Sequence, residues 1–161
     1  MGNALWGVLS SACQFTSGTS VESCWIEHRF AVGQNSAGGL AAAVVENHFT
    51  GFGDNTYAWE PGVGPRGDLG TVNSLQMTSV SSTSRFLSAL WEAHNLNAGY
   101  SSGAFIALGS SVQTYSSRTG DYTGAQTDPS VLSRVWVAGE RAISVSGSQR
   151  WDTRISQVQT P

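Results

Sequence analysis

Arg66, Gly67 and Asp68 stand together in the stretch GPRGDLG. A cation and a carboxylate on either side of a tight bend can recognise an integrin-type receptor, the Asp completing a metal shell on the partner. The plainer reading of the same residues is a Pro-Arg-Gly-Asp turn. Just upstream, TYAWEPG gathers Tyr57, Trp59 and Glu60. Exposed aromatics stack on sugar faces, and a neighbouring carboxylate accepts hydrogen bonds from hydroxyls. A Trp59 buried to anchor its own loop would use the same residues. Tyr57, Trp59, Glu60, Arg66 and Asp68 are therefore the candidate binding residues. Asp54 and Asn55 offer oxygens to calcium, but such a pair more often makes a turn.

Catalytic patterns are missing. Serine is abundant, yet no GxSxG elbow surrounds any serine. Glycoside hydrolysis needs two facing carboxylates. Glu22, Glu27, Glu46, Glu60 and Glu92 are candidates, and nothing in their spacing pairs them. His28, His48 and His94 are joined by no CxxC or HxxxH spacing, so no metal site is expected. His28 falls on the apolar face of its strand and reads as a core histidine. GVGPRG has proline where a phosphate-cradling loop wants free backbone N–H groups. The expectation is a protein that is not an enzyme and carries no cofactor. Cys13 and Cys24 are expected as buried free thiols; a disulfide between them is the alternative in an oxidising compartment.

The segments that position these residues are short and punctuated by Ser-Gly, Gly-Gly and Asp-Asn clusters, the habit of an all-β sandwich or barrel. CWIEHRF alternates, with Cys24, Ile26, His28 and Phe30 facing one way and Trp25, Glu27 and Arg29 the other. LAAAVVENHF is an apolar run of strand length, and TVNSLQMTSV alternates again. Residues 50–70 fit no regular element and read as a long Gly-rich loop. SSRTGDYTGAQTDPS reads as a second, polar loop. RVWVAGERAISVSGSQRWDTRISQV reads as consecutive strands, with Ala138-Gly139-Glu140 as one link and Ser146-Gly147-Ser148 as a tight turn. Residues 84–95 admit two periods. A helix would align Phe86, Leu87, Leu90, Trp91 and His94; a strand would align Leu87, Ala89, Trp91 and Ala93. Period alone does not choose between them, and the β-rich surroundings favour the strand.

At 161 residues the chain is one domain, long enough to bury a core. Only 12% of residues are charged, about half the usual share, so little charge opposes self-association. Lysine is absent, the formal net charge is −3, and the arginines are spread along the chain. A nucleic-acid partner is not expected from this distribution. No run approaches the ~18 apolar residues of a membrane span, and the N-terminus lacks the basic start of a signal peptide.

The order of pieces resembles the β-sandwich domains of bacteriophage tail fibres and tailspikes, whose fold is similar to concanavalin-A-like lectins and jelly rolls. ALWG at the start, AAAVVENH, a Gly-rich aromatic stretch, SALWEAHNLNAGYSSGAFIALGSS, and the closing GERAISVSGSQRWDTRI follow the family's sequence of motifs. The resemblance implies an antiparallel sandwich with at most one short helix. It implies a virion component, a homotrimer that places a domain against a host-surface glycan or protein. A viral coat or decoration protein and a jelly-roll carbohydrate hydrolase are the rival readings.

Overall fold

The computed structural model describes residues 3–15, 21–53, 55–68, 73–95, 99–100, 103–112 and 123–159. The fold is all-β, with no helix among the described residues. Three antiparallel sheets form. The first joins β1 (Asn3–Gln14), β2 (Val21–Gln34) and β3 (Leu40–Thr50) in chain order. The second has the order β4 (Thr56–Pro65), β5 (Asn73–Ser82), β6 (Arg85–Asn95) and β7 (Gly99–Tyr100), with β8 (Ala104–Ala107) also pairing β6. The third has the order β11 (Ser148–Gln159), β10 (Arg134–Val145) and β9 (Gly124–Thr127).

Residues 84–95 settle as strand. Leu90 pairs with Thr78 and Trp91 with Met77 in β5, so successive side chains of β6 point to opposite faces. Ala89 and Trp91 meet Val135, Val137 and Val158 of the third sheet in the apolar core. His94, on the other face, meets Trp6 and Glu27 of the first sheet. The second sheet is thus covered on both faces, which is why β6 is nearly continuously buried over Leu87–Leu90.

The stretch read as a long Gly-rich loop contains β4. Its glycines are packing residues. A Cβ on Gly64 would lie 2.8 Å from Val135 Cγ1 and 3.0 Å from the Ala125 carbonyl carbon, and one on Gly62 would lie 3.3 Å from Gly124 Cα. Only a strand stripped of side chains there can lie against β9 and β10. Its prolines are tolerated because β4 is an edge strand and the register shifts between Trp59 and Gly62. Gly64→Ala is expected to cost about 1–3 kcal/mol by overpacking. A lowered urea midpoint with an unchanged m-value would register it, and an unchanged midpoint would contradict the packing role.

The second loop also needs correction, since β9 lies within it; residues 113–122 fall outside the described residues. Ala138-Gly139-Glu140 is no link. All three pair within β10–β11, opposite Ile155, Arg154 and Thr153. The turn at Ser146-Gly147 is as expected, with both residues at positive φ, 50° and 79°, as a two-residue hairpin turn requires.

Over residues 25–30 the inward face of β2 is the one opposite the row of His28, although Cys24 of that row is fully buried. Trp25 and Glu27 are buried toward the second sheet, while Ile26, His28 and Phe30 are only part-buried on the outside. His28 is no core histidine: its Nδ1 lies 2.6 Å from Asn47 Oδ1 on that outer face. The thiol expectation fails too. Cys13 and Cys24 form a disulfide, diagonal across β1–β2, with Cα atoms 5.8 Å apart. The strands bring the two Cα atoms within the usual bridging range.

Candidate functional site

Glu27 and Glu46 converge on His94, between the first and second sheets. His94 is 3% exposed and Glu27 2% exposed. Glu27 Oε1 lies 3.0 Å from His94 Nδ1 and accepts from Ser74 Oγ at 3.2 Å. On the other side of the ring, Glu46 Oε1 lies 3.1 Å from Nε2. Both ring nitrogens can donate only in the imidazolium, so this geometry holds a cation between two carboxylates. Burial alone would lower the His94 pKa. The Glu27 hydrogen bond, with the charges of Glu27 and Glu46, outweighs burial and raises it. The His48 ring stacks on His94 at 6.1 Å and Trp6 presents an edge at 5.9 Å. Desolvation and the charge of His94 lower the His48 pKa, leaving it the neutral member of the pair.

Register makes this cluster. Trp6 pairs with Arg29 and Arg29 with Glu46, while Val8 pairs with Glu27 and Glu27 with His48. These rows share the inner face of the first sheet. His94 and Glu92 are two apart on the face of β6 that meets it. Between Glu27 and Glu46 lies the His94 ring.

Glu92, part-buried, lies two residues from His94 along β6. Desolvation, then the charge of Glu27, pushes its carboxyl up to about 7. Its Oε2 is covered and has no hydrogen-bond partner among the described residues. The residue lines a groove of about 380 Å³ together with Phe52, Thr56, Ser84, Arg85 and Phe105. The Arg85 guanidinium sits 4.3 Å from the centre of the Phe105 ring. A second groove of about 370 Å³ shares Ser82 and Arg85 with the first and is walled by Trp59. Arg85 therefore stands on the rim between two grooves at the β5–β6 turn.

The residues singled out from the sequence do not form one site. Arg66 and Asp68 satisfy each other, Nε to Oδ1 at 2.9 Å and Nη2 to Oδ2 at 2.7 Å. Arg66 is 8% exposed, and the Gly67 N–H donates to the Leu132 carbonyl at 2.8 Å. This tripeptide is a folded-back turn on β9–β10, with its cation turned inward. Tyr57 is exposed, and its hydroxyl hydrogen-bonds to Glu22, which raises the Tyr57 pKa. Glu60 is an exposed bulge residue at φ 50°. Its N–H donates to Ser10 Oγ at 3.1 Å, and its carbonyl accepts from Thr123 Oγ1. Of the five, Trp59 alone lines a groove given above. Asp54 lies outside the described residues.

His94, Ser74 and Arg85 were not singled out from the sequence. The one usable signal was Glu92 and His94 two apart in a strand whose neighbours on that face, Ser88 and Leu90, are also buried. Among the described residues no group of three or more His, Cys, Asp and Glu could hold a metal ion. No described helix is long and apolar enough to cross a membrane. No protein-family model, curated protein or solved structure matches this chain.

Proposed function

We propose that the chain is a non-enzymatic module of a virion appendage, of phage tail-fibre or tailspike type, acting as a homotrimer in host attachment or fibre structure. The observation that carries this reading is a pair of apolar outer faces. Leu5, Leu9, Val44 and Phe49 are exposed on the outside of the first sheet. Trp136, Trp151 and Ile155 are exposed on the outside of the third. Exposed apolar surface of this extent marks interaction sites. The two faces differ in sequence and lie on opposite sides of the second sheet. Such a pair suits a heterologous, head-to-tail contact, which closes into a ring when the rotation permits and grows open when it does not. A ring of three would present its sites together, so that weak contacts add through effective concentration.

Light scattering on a size-exclusion column tests this. A mass three times that of the chain is expected, falling to that of one chain in Ile155→Glu. A clean monomer for the unaltered chain would overturn the reading. Large shells or lattices would favour a coat or decoration protein instead.

A further inference from the structure

The paired grooves at the β5–β6 turn combine three features. The first is a cation without a carboxylate partner. Arg85 is exposed and forms no ion pair among the described residues; its contact is the face of Phe105. Stacking fixes the plane of a guanidinium while leaving its N–H fork open, the arrangement that takes a carboxylate through two parallel hydrogen bonds. The second is Glu92, part-buried in the same groove, one oxygen covered and without a partner. The third is a lining that alternates apolar and hydroxyl surface: Phe52 and Phe105 beside Thr56 and Ser84, with Trp59 in the adjoining groove. The larger groove falls within the ~300–1,000 Å³ range of small-ligand sites.

From this juxtaposition we infer that the β5–β6 turn binds an acidic sugar, a hexuronate unit of a glycan, with its carboxylate on Arg85 and its ring hydroxyls on Glu92 and the groove hydroxyls. Trp59 offers a stacking surface to the next sugar along. A neutral sugar would leave the guanidinium without its partner. A bare anion would leave the aromatic walls unused. The inference deepens the attachment reading and rests on it for the source of the glycan.

Glu92 gives the site a signature of its own. The charged groups around it are Glu27 from β2, His94 two residues along β6 and Arg85 on the rim. With its proton, Glu92 donates to the ligand; without it, Glu92 adds a negative charge beside a ligand that already carries one. Affinity for an acidic sugar therefore falls as pH rises through about 7.

The test is titration of the full chain with glucuronate and with glucose, followed by amide NMR shifts and calorimetry at pH 6 and pH 8. Glucuronate is expected to bind at least about tenfold more tightly than glucose, with shifts centred on Arg85, Glu92 and Phe105. Arg85→Met, an exposed change that leaves the core intact, is expected to erase the preference. Glu92→Gln is expected to bind while losing the pH dependence. Equal binding of the two sugars, binding of neither, or an unaltered preference in Arg85→Met would overturn the site. The mass measurement is separate. A trimer that binds no glucuronate removes the site alone; a monomer that binds it removes the assembly reading and leaves the site standing.

Discussion

Glu27→Ala is expected to lower the unfolding free energy by about 3–5 kcal/mol, the cost of stripping one partner from a buried charged pair. Against a typical total of about 5–15 kcal/mol, that leaves little margin. Two donors lose their acceptor at once, His94 Nδ1 and Ser74 Oγ, and the carboxylate leaves a void between the first and second sheets. Glu27→Gln keeps the volume and an acceptor oxygen, so a smaller loss is expected, about 1.5–3 kcal/mol for a hydrogen bond to a charged group. The pH dependence identifies the mechanism. His94 has a folded-state pKa above its unfolded value of ~6.5. Its contribution is fully present below that value and is lost as pH rises through the folded pKa. Glu92 acts in the same direction: its carboxyl is pushed up to about 7, so the folded state holds a proton that the unfolded state has released, and stability falls between its ordinary value and about 7. His48, with its pKa lowered, opposes them only below ~6.5. Urea midpoints are therefore expected to be higher at pH 6 than at pH 8.5. His94→Leu should reduce the slope above ~6.5, and Glu92→Gln the slope up to about 7. A midpoint flat across this range in the unaltered chain would rule out the imidazolium between two carboxylates.

The strands of this cluster were legible, but its location was not. Alternation over CWIEHRF gave the correct period for β2, whereas over residues 84–95 the period left helix and strand open and only the β-rich surroundings favoured the strand of β6. What alternation cannot supply is which face looks inward. In an ordinary sandwich the row of Ile26, His28 and Phe30 would be inside and Glu27 and Arg29 outside. Here Glu27 is inside because His94 and Ser74, distant in the chain, satisfy it. That compensation exists only once β2, β5 and β6 are brought together. The β4 strand was hidden for a different reason. Gly62, Gly64, Pro61 and Pro65 are turn residues by local chemistry, and only the close approach of Val135 and Ala125 makes glycine a strand residue there. Ala138-Gly139-Glu140 was misread on the same grounds: a lone glycine inside a strand looks like a turn until its pairing with Arg154 is known. The groove at the β5–β6 turn depends on Phe52, Arg85, Glu92 and Phe105, contributed by separate segments. No spacing rule relates them.

Removing the bond between Cys13 and Cys24 is expected to cost about 3 kcal/mol, the loop-closure entropy of a short loop. The bond closes residues separated by 11 positions and clamps the end of the β1–β2 hairpin, beside Glu22, which accepts from the Asn55 N–H at 2.9 Å. The hairpin's remaining pairs run from Asn3 opposite Val32, so the sheet itself survives the loss. The expected result for Cys13→Ser/Cys24→Ser is a folded protein with a lowered urea midpoint, matched by the unaltered chain after reduction under denaturing conditions. Cys24 is fully buried and Cys13 part-buried, so dithiothreitol added to the folded protein should act more slowly than on an exposed bridge. Thiol titration of the denatured, unreduced chain decides whether the bond forms. No reactive thiol is expected. Two per chain would mean that the strands hold the cysteines close without joining them, and would remove the support that an oxidised bridge lends to an extracellular particle.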